Sequence, residues 1–455
     1  MRKQSRAARK RPDVPEVRDG AVRDQEVEAP YFASSTYALR QLEALGPFCL
    51  QEPMSKKDIS VSDRHRNIQA LMQRINKKAK REVITTADQA PNPYMLRYPT
   101  GCMEIDLDLG GGFPAGGLSA ISGPDGAGKT LLLYMAMAMH QRIFGDSSAI
   151  ALAPTEFIPD YFFMRFCGVN VAVPDEMIEQ ANSVRAHRGM PKFTKEEIKT
   201  LKSQTGEFLI IRGSTGQQIL DGVLECYASK QFGIIGVDSI NAIQSAAEAS
   251  SDGLEDSIQQ AAKASIMSRF ADRFHPMTLG IEGPNYTALL VTGQVRANRE
   301  RANAPSHMQK YIKNYSEVLP WAIRHAALIR VLVWQGEKIR GTSGDEKGIQ
   351  QGQVRNWEIT KGKAGTHDGI RGEADYTYGQ LFDNYGSVLR MGMKWGVIQE
   401  KQGKLHIVRP LDKTVPMTSP GPAELIEQLK QDVVLDIWLR QEILMAAGKS
   451  CLYKH

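Results

Sequence analysis

Residues 118–140 read LSAISGPDGAGKTLLLYMAMAMH, and this stretch decides the fold. An apolar run with strand character ends in Gly123-Pro124-Asp125-Gly126-Ala127-Gly128-Lys129-Thr130, and an apolar helical run follows from Leu131. The octet matches G-x-x-x-x-G-K-T, and strand before and helix after is the context that pattern requires. Glycines let backbone N–H groups close around phosphate oxygens, and the N-terminus of the following helix adds positive potential. Lys129 then reaches the terminal phosphates, while the Thr130 hydroxyl ligates Mg²⁺. The expected ligands are ATP and Mg²⁺, held by Gly123 to Leu131.

Working outward, further apolar runs recur: SAIALAP (148–154), EFLIIRG (207–213), FGIIGVDS (232–239), YTALLVTGQ (286–294) and AALIRVLVW (326–334). Together with LSAISG they read as buried strands separated by helix-like or loop sequence, which predicts an α/β protein with a mainly parallel sheet flanked by helices. FGIIGVDS ends in Asp238, whose carboxylate is expected to hold the Mg²⁺ shell through water, with Ser239 beside it. Apolar strands ending in Asp are common; the phosphate loop upstream gives this one its meaning. SAIALAP leads into Thr155-Glu156, which makes Glu156 a candidate general base for the attacking water. An isolated Glu at a strand end would otherwise be an ordinary helix-start carboxylate.

Composition sets the limits of the rest. The 455 residues are 42% hydrophobic with a net charge of +6, enough for a sizeable core and too mild a charge to identify a nucleic-acid partner by itself. No apolar run reaches membrane-spanning length and the charged start lacks a signal core, so the expectation is a cytoplasmic protein without a membrane partner. Cys49, Cys102, Cys167, Cys226 and Cys451 form no C-x-x-C pair, which argues against zinc or a disulfide framework. Residues 1–60 read as a basic, largely irregular extension, and MRKQSRAARKRP at its start holds six Lys/Arg, a pattern that suits phosphate contact or simple solvation. Residues 61–98 hold an amphipathic helix, with Ile68, Leu71, Met72 and Ile75 on one face, and a linker. Residues 99–383 form the core, interrupted by a polar helical insertion at 181–205, and 384–455 form a small α/β domain. In that domain SVLRMGMKWGVI reads as a helix, KLHIVR as a strand, and the segment from Pro422 to Ala447 as a closing helical region. No internal repeat is present.

The stretch YPTGCMEIDLDLGGGFPAGGLSAISGPDGAGKT (98–130) resembles the entry into the ATP site of the RecA family, bacterial and phage-encoded, and the likeness runs over roughly residues 62–447. The resemblance implies a RecA-type ATPase core and a polymerising role for the helix in 61–98. It makes Glu156 the catalytic glutamate, with Asp160 and Phe163 flanking the adenine, Phe163 standing where the family usually has Tyr, and Gly168-Val169 closing the same helix. Gln294, in YTALLVTGQVR, takes the role of the amide that reports the γ-phosphate to the second DNA-binding loop. That loop, about Arg296 to Leu319, carries Arg296, Arg299, Arg301, Lys310 and Lys313, with Tyr311 and Tyr315 interleaved. The first loop falls by position at about 247–257, with Lys263 and Arg269 on the following helix as phosphate contacts. Lys361 and Lys363, in WEITKGKAG, match the lysines that reach a neighbour's ATP in trans and join Lys129, Glu156 and Gln294 as catalytic residues.

The implied function is a recombinase that forms helical filaments of itself on single-stranded DNA, pairs them with homologous double-stranded DNA and hydrolyses ATP in a DNA-dependent way. Its setting would be recombination, repair of DNA damage and the SOS response in a bacterium or phage, with single-strand-binding and loader proteins as candidate partners. The C-terminal domain is similar to the bacterial one, but KSCLYKH at the end lacks the family's acidic run, which predicts weaker Mg²⁺ dependence of duplex binding. Two other classes share these residues: a ring-forming RecA-core helicase or motor, and a mediator that uses ATP as a clamp without hydrolysis.

Overall fold

The computed structural model describes residues 61–86, 92–244, 256–280, 283–298, 315–341, 347–379, 381–408 and 417–448. The chain divides into two compact units, Met1–Ile75 and Asn76–His455. Helix α1, Val61–Ala79, begins in the first and ends in the second. In its last turn, Asn76 ties the helix end to the chain that follows: its Oδ1 accepts from the backbone N–H groups of Val83 and Ile84.

The core opens with β1 (Arg97–Tyr98), α2 (Met103–Leu109) and β2 (Phe113–Pro114), followed by β3 (Leu118–Gly123) and α3 (Lys129–Phe144). Next come β4 (Ala149–Pro154), α4 (Tyr161–Phe166), α5 (Asp175–His187), α6 (Lys195–Leu201) and β5 (Glu207–Ile210). The chain continues through α7 (Gly216–Ala228), β6 (Ile234–Asp238), α8 (Asp256–Thr278), β7 (Ala288–Ala297), β8 (Tyr315–Glu317) and α9 (Trp321–Ala326). It closes the sheet with β9 (Ala327–Arg340), β10 (Gln350–Lys361), β11 (Arg371–Thr377) and β12 (Leu381–Phe382). β1 and β2 pair with each other, and the ten strands β3 to β12 form one sheet, ordered β12-β11-β10-β9-β3-β7-β6-β4-β5 with β8 paired to β7. Every pairing from β9 to β5 is parallel, so this is the mainly parallel, helix-flanked sheet expected from the apolar runs.

Parallel strands covered on both faces must be apolar on both, and alternate residues must then feed different cores. They do so here. Ile121, Ile150 and Leu290 pack with Leu133 and Met137 of α3, whereas Ala120, Ala151 and Leu289 pack with Val223 of α7 and Phe270 and Phe274 of α8. The phosphate loop therefore leaves a central strand that is anchored from above and below.

The polar excursion expected at 181–205 is built from α5, which starts at Asp175, and α6, which opens with a capping box between Thr194 and Glu197. The C-terminal stretch comprises α10 (Asn384–Lys394), β13 (Ile398–Lys401), β14 (Lys404–Ile407), β15 (Met417–Ser419), α11 (Pro422–Gln431) and α12 (Val433–Ala446). One detail differs from the sequence reading, and a second refines it. The helix expected through Ile398 stops at Lys394, because Gly396 turns the chain in the left-handed region (φ +74°) and sends Val397 into the apolar cluster shared with Met103 and Leu107 of α2, and Ile398 into that cluster and the start of β13. The closing helical region is two helices, broken at Asp432, whose backbone (φ −106°, ψ 97°) is not helical and whose carboxylate accepts from the Leu435 N–H at 3.0 Å. Among the described residues no helix is long and apolar enough to cross a membrane.

Candidate nucleotide site

At the carboxyl edge of the parallel strands, β3, β7, β6 and β4 lie side by side and bring together residues far apart in sequence. The loop 123–128 turns from β3 into α3 through Gly126 (φ +68°) and Gly128 (φ +98°), the latter capping the helix. Both angles favour glycine. Gly123 is fixed for another reason: a Cβ there would be driven into the Val333 carbonyl oxygen of β9. Lys129 Nζ donates to the carbonyls of Gly123 (2.9 Å) and Pro124 (3.0 Å). Its burial lowers its pKa, and the carboxylates of Asp125, Asp238 and Glu156 oppose that shift.

Asp238 ends β6 beside the loop. Its Oδ2 accepts from Thr130 Oγ1 at 2.7 Å and its Oδ1 accepts from Thr292 Oγ1 of β7. Burial raises its pKa, and those two hydroxyl bonds pull it back towards the charged form, with Glu156 raising it and Lys129 lowering it. Thr130 and Asp238 thus present hard oxygen donors within one hydrogen bond of each other. That set fits Mg²⁺, which keeps most of its waters and binds through one or two protein oxygens plus phosphate.

Glu156 follows β4 directly. Its Oε1 accepts from Ser239 Oγ and, at 3.2 Å, from Gln294 Nε2, so one carboxylate oxygen links the ends of β4, β6 and β7. The Gln294 N–H donates to Asn241 Oδ1 at 2.8 Å; Asn241 Nδ2 in turn donates to the Val318 carbonyl, and its own carbonyl accepts from Lys263 Nζ. Asn241 and Thr292 were not singled out from the sequence, and Ser239 was named only as the neighbour of Asp238. For Ser239 and Asn241 the only available signal was their place directly after the Asp238 strand end.

The remaining expected residues scatter. Asp160 caps α4, its Oδ1 accepting from the N–H groups of Phe162 and Phe163 at 3.0 Å each, and Phe163 packs in a tilted contact with Tyr134. Lys361 ends β10 in register with Arg330, itself aligned with Ala120 in the middle of β3, and from there the chain runs away from the phosphate loop. Its Nζ donates to the carbonyls of Arg324 (3.1 Å) and His325 (2.8 Å) at the end of α9, and its pKa is lowered by burial and then by Lys363 and Arg330. Lys363 is exposed. Arg296 is exposed on β7, opposite Ser316 of β8, and Arg269 faces α7 beside Asp221 and Gln217. Arg299, Arg301, Lys310 and Lys313, with nearly all of the 247–257 segment, lie outside the described residues.

Fold and site together define an α/β protein with a RecA-type core: a largely parallel sheet, a Gly-rich loop between a central strand and a helix, and carboxylates on the adjoining strand ends. Comparison with known proteins agrees. The chain is 27% identical over 199 residues to Protein RecA of Anaplasma marginale, covering 44% of this chain and 45% of the relative. It is 26% identical over 309 residues to Protein RecA of Desulforapulum autotrophicum, covering 66% and 71% respectively. It is also 31% identical over 109 residues to the chloroplastic DNA repair protein recA homolog 1 of Arabidopsis thaliana, 24% of each chain. Two of these three alignments span less than half of the relative's length. No family model matches the chain. The likenesses support a RecA-like family without singling out a member.

Proposed function

We propose that the protein is an ATP-dependent DNA recombinase: it binds ATP and Mg²⁺ at the phosphate loop, assembles with copies of itself on single-stranded DNA, pairs that strand with a homologous duplex, and hydrolyses ATP to release it. One observation carries this reading, the hydrogen bond between Gln294 Nε2 and Glu156 Oε1 (3.2 Å). The glutamate is the group placed to orient and deprotonate a water, and the glutamine starts the segment that runs out to Arg296 and the basic residues beyond it. An amide that bonds either the carboxylate or an arriving γ-phosphate makes nucleotide state and loop position one equilibrium.

In this scheme the Gly123–Leu131 backbone and Lys129 hold the phosphates, with Asp160 and Phe163 at the base. Thr130 and Asp238 hold Mg²⁺, which would neutralise charge on the phosphate oxygens. Glu156 takes the proton of the attacking water, and Gln294 senses the terminal phosphate. Lys361 and Lys363 serve a neighbouring protomer's nucleotide. The register supports that direction, since β10 carries them along the sheet away from this chain's own loop. Arg296, Arg299, Arg301, Lys310, Lys313, Lys263 and Arg269 contact DNA phosphates, with the strongest support at Lys263, which is linked to Gln294 through Asn241.

A D-loop assay tests the function. With ATP, Mg²⁺ and a single strand homologous to a supercoiled duplex, the protein should form joint molecules, and a heterologous strand should give none. ATP-dependent unwinding of a forked duplex without pairing would identify the ring-forming motor instead.

A further inference from the structure

On the other side of β3 from Glu156 and Gln294 lies a buried cation that the site as described does not use. Arg355 sits on β10, paired with Gln335 of β9 and Ala374 of β11. Its Nε lies 4.0 Å from the point where Gly128 would carry a Cβ, so the guanidinium adjoins the start of α3. The floor beneath it is fastened to the loop, with Gln335 Nε2 donating to the Gly126 carbonyl at 3.0 Å. Arg355 is only 8% exposed, and its Nε has no hydrogen-bond partner. Among the described residues its side chain makes one hydrogen bond, a long contact from Nη1 to Gln353 Oε1 at 3.4 Å, and no carboxylate pairs with it. The aromatic face of Tyr376, 4.9 Å from the guanidinium carbon to the ring centroid, holds it in place.

A guanidinium taken out of water without a counter-ion is strongly unfavourable, and such groups cluster where a ligand supplies the missing charge. The anion that the adjoining loop gathers is phosphate. Lys129 belongs to the terminal-phosphate end, with Glu156, Gln294 and Asp238; Arg355 stands at the opposite flank, next to Gly128. We infer that Arg355 is a nucleotide-binding residue that pairs, within the same chain, with a phosphate on the sugar side of the nucleotide held by the phosphate loop. The inference rests on the nucleotide-site reading above. A contact with a non-terminal phosphate is made equally to ATP and ADP, so it contributes to affinity and not to the chemical step. Arginine suits the role because its planar fork can keep its aromatic contact while presenting N–H groups to phosphate.

The test is titration with fluorescent ADP (mant-ADP), alongside thermal melting without nucleotide, for wild type, Arg355→Met, Arg355→Gln and Lys129→Ala. The two Arg355 variants, either of which suffices if the other misfolds, should bind mant-ADP about tenfold more weakly, the loss expected for one charged hydrogen bond. They should raise the KM for ATP by a similar factor, leave kcat within about twofold, and melt no lower than wild type, since an unpaired buried charge has been removed. Wild-type mant-ADP affinity in a folded Arg355 variant, with binding lost in Lys129→Ala, overturns this proposal alone. A wild-type protein that does not bind mant-ADP, or a Lys129→Ala protein that binds it equally well, overturns the nucleotide-site reading and this proposal with it.

Discussion

A methyl group on Gly123 would meet the carbonyl oxygen of Val333 on the neighbouring strand, so the first glycine of the loop is set by how closely β3 and β9 approach. Gly123→Ala should therefore push the loop off β9, destabilising the fold by roughly 1–3 kcal/mol and abolishing the rise in Tm on adding ADP, both readable by melting with and without nucleotide. Asn241 makes a different kind of contact, bonding the Gln294 N–H, the Val318 carbonyl and, through its own carbonyl, Lys263. Asn241→Ala should keep ATPase activity without DNA within several-fold of wild type and lose most of the stimulation by single-stranded DNA, in a phosphate-release assay run with and without DNA. The loop, Asp238 and Glu156 could be read from the sequence because each follows a recognisable strand. Thr292 and Arg355 could not, since only strand register brings them to the site, and Asn241 had no signal beyond its place in the turn after β6.

Among the elements, the packing of α12 against α2 and α3 depends on charge. Asp106 of α2 accepts from the N–H and hydroxyl of Thr100 (2.7 and 2.8 Å) and from the Gly101 N–H (3.1 Å), which closes the turn before the helix. Arg440 of α12 donates to the Gly101 carbonyl (2.8 Å) and to Asp436 (2.8 Å), while Arg142 of α3 bonds the other oxygen of Asp436 at 3.1 Å. Arg440→Met leaves buried acceptors in this join unsatisfied and should cost about 3 kcal/mol in urea unfolding, with loss near zero contradicting the join described here. The role of Arg440 on α12 was not visible in the sequence, because a buried arginine in a helical run has the same local pattern as an exposed one. The run from Ser387 to Ile398 misled for a related reason: its apolar residues suit a helix, and Gly396 outweighs them through backbone geometry.

For the whole molecule, burial moves two core groups in opposite senses. His140, its Nδ1 2.7 Å from Ser148 Oγ, is pushed down from 6.5 to about 4 by burial. Asp106 is pushed up from 3.8 to about 6 by burial, against the hydrogen bonds of Thr100 and the charge of Arg440. Below pH 6.5 the unfolded chain takes up the His140 proton before the folded chain does, so that contribution is present above pH 6.5 and is lost towards pH 4. For Asp106 the folded chain binds the proton more tightly, and its contribution is present below about pH 4 and lost as pH rises through about 6. Each full shift corresponds to about 3 kcal/mol, so the two largely offset in wild type. Urea unfolding at pH 5 and pH 7 should show His140→Gln gaining less stability than wild type between the two, and Asp106→Asn gaining more.

The sheet was legible because six strands announce themselves as apolar runs, although β5, expected to be buried, is an edge strand with Glu207 and Leu209 exposed, whereas β10 and β11 carry many polar residues and β12 is only two residues long, so these three emerge from pairing. What the assembled molecule does with its site is most directly tested by phosphate release from Mg²⁺-ATP, with and without single-stranded DNA, for wild type and Glu156→Gln. Wild type should be strongly stimulated by the DNA, and Glu156→Gln should still bind ATP while turning over at least about a hundredfold more slowly. Equal rates in the two proteins, or a wild-type rate indifferent to DNA, would contradict a DNA-coupled ATPase built around Glu156 and Gln294.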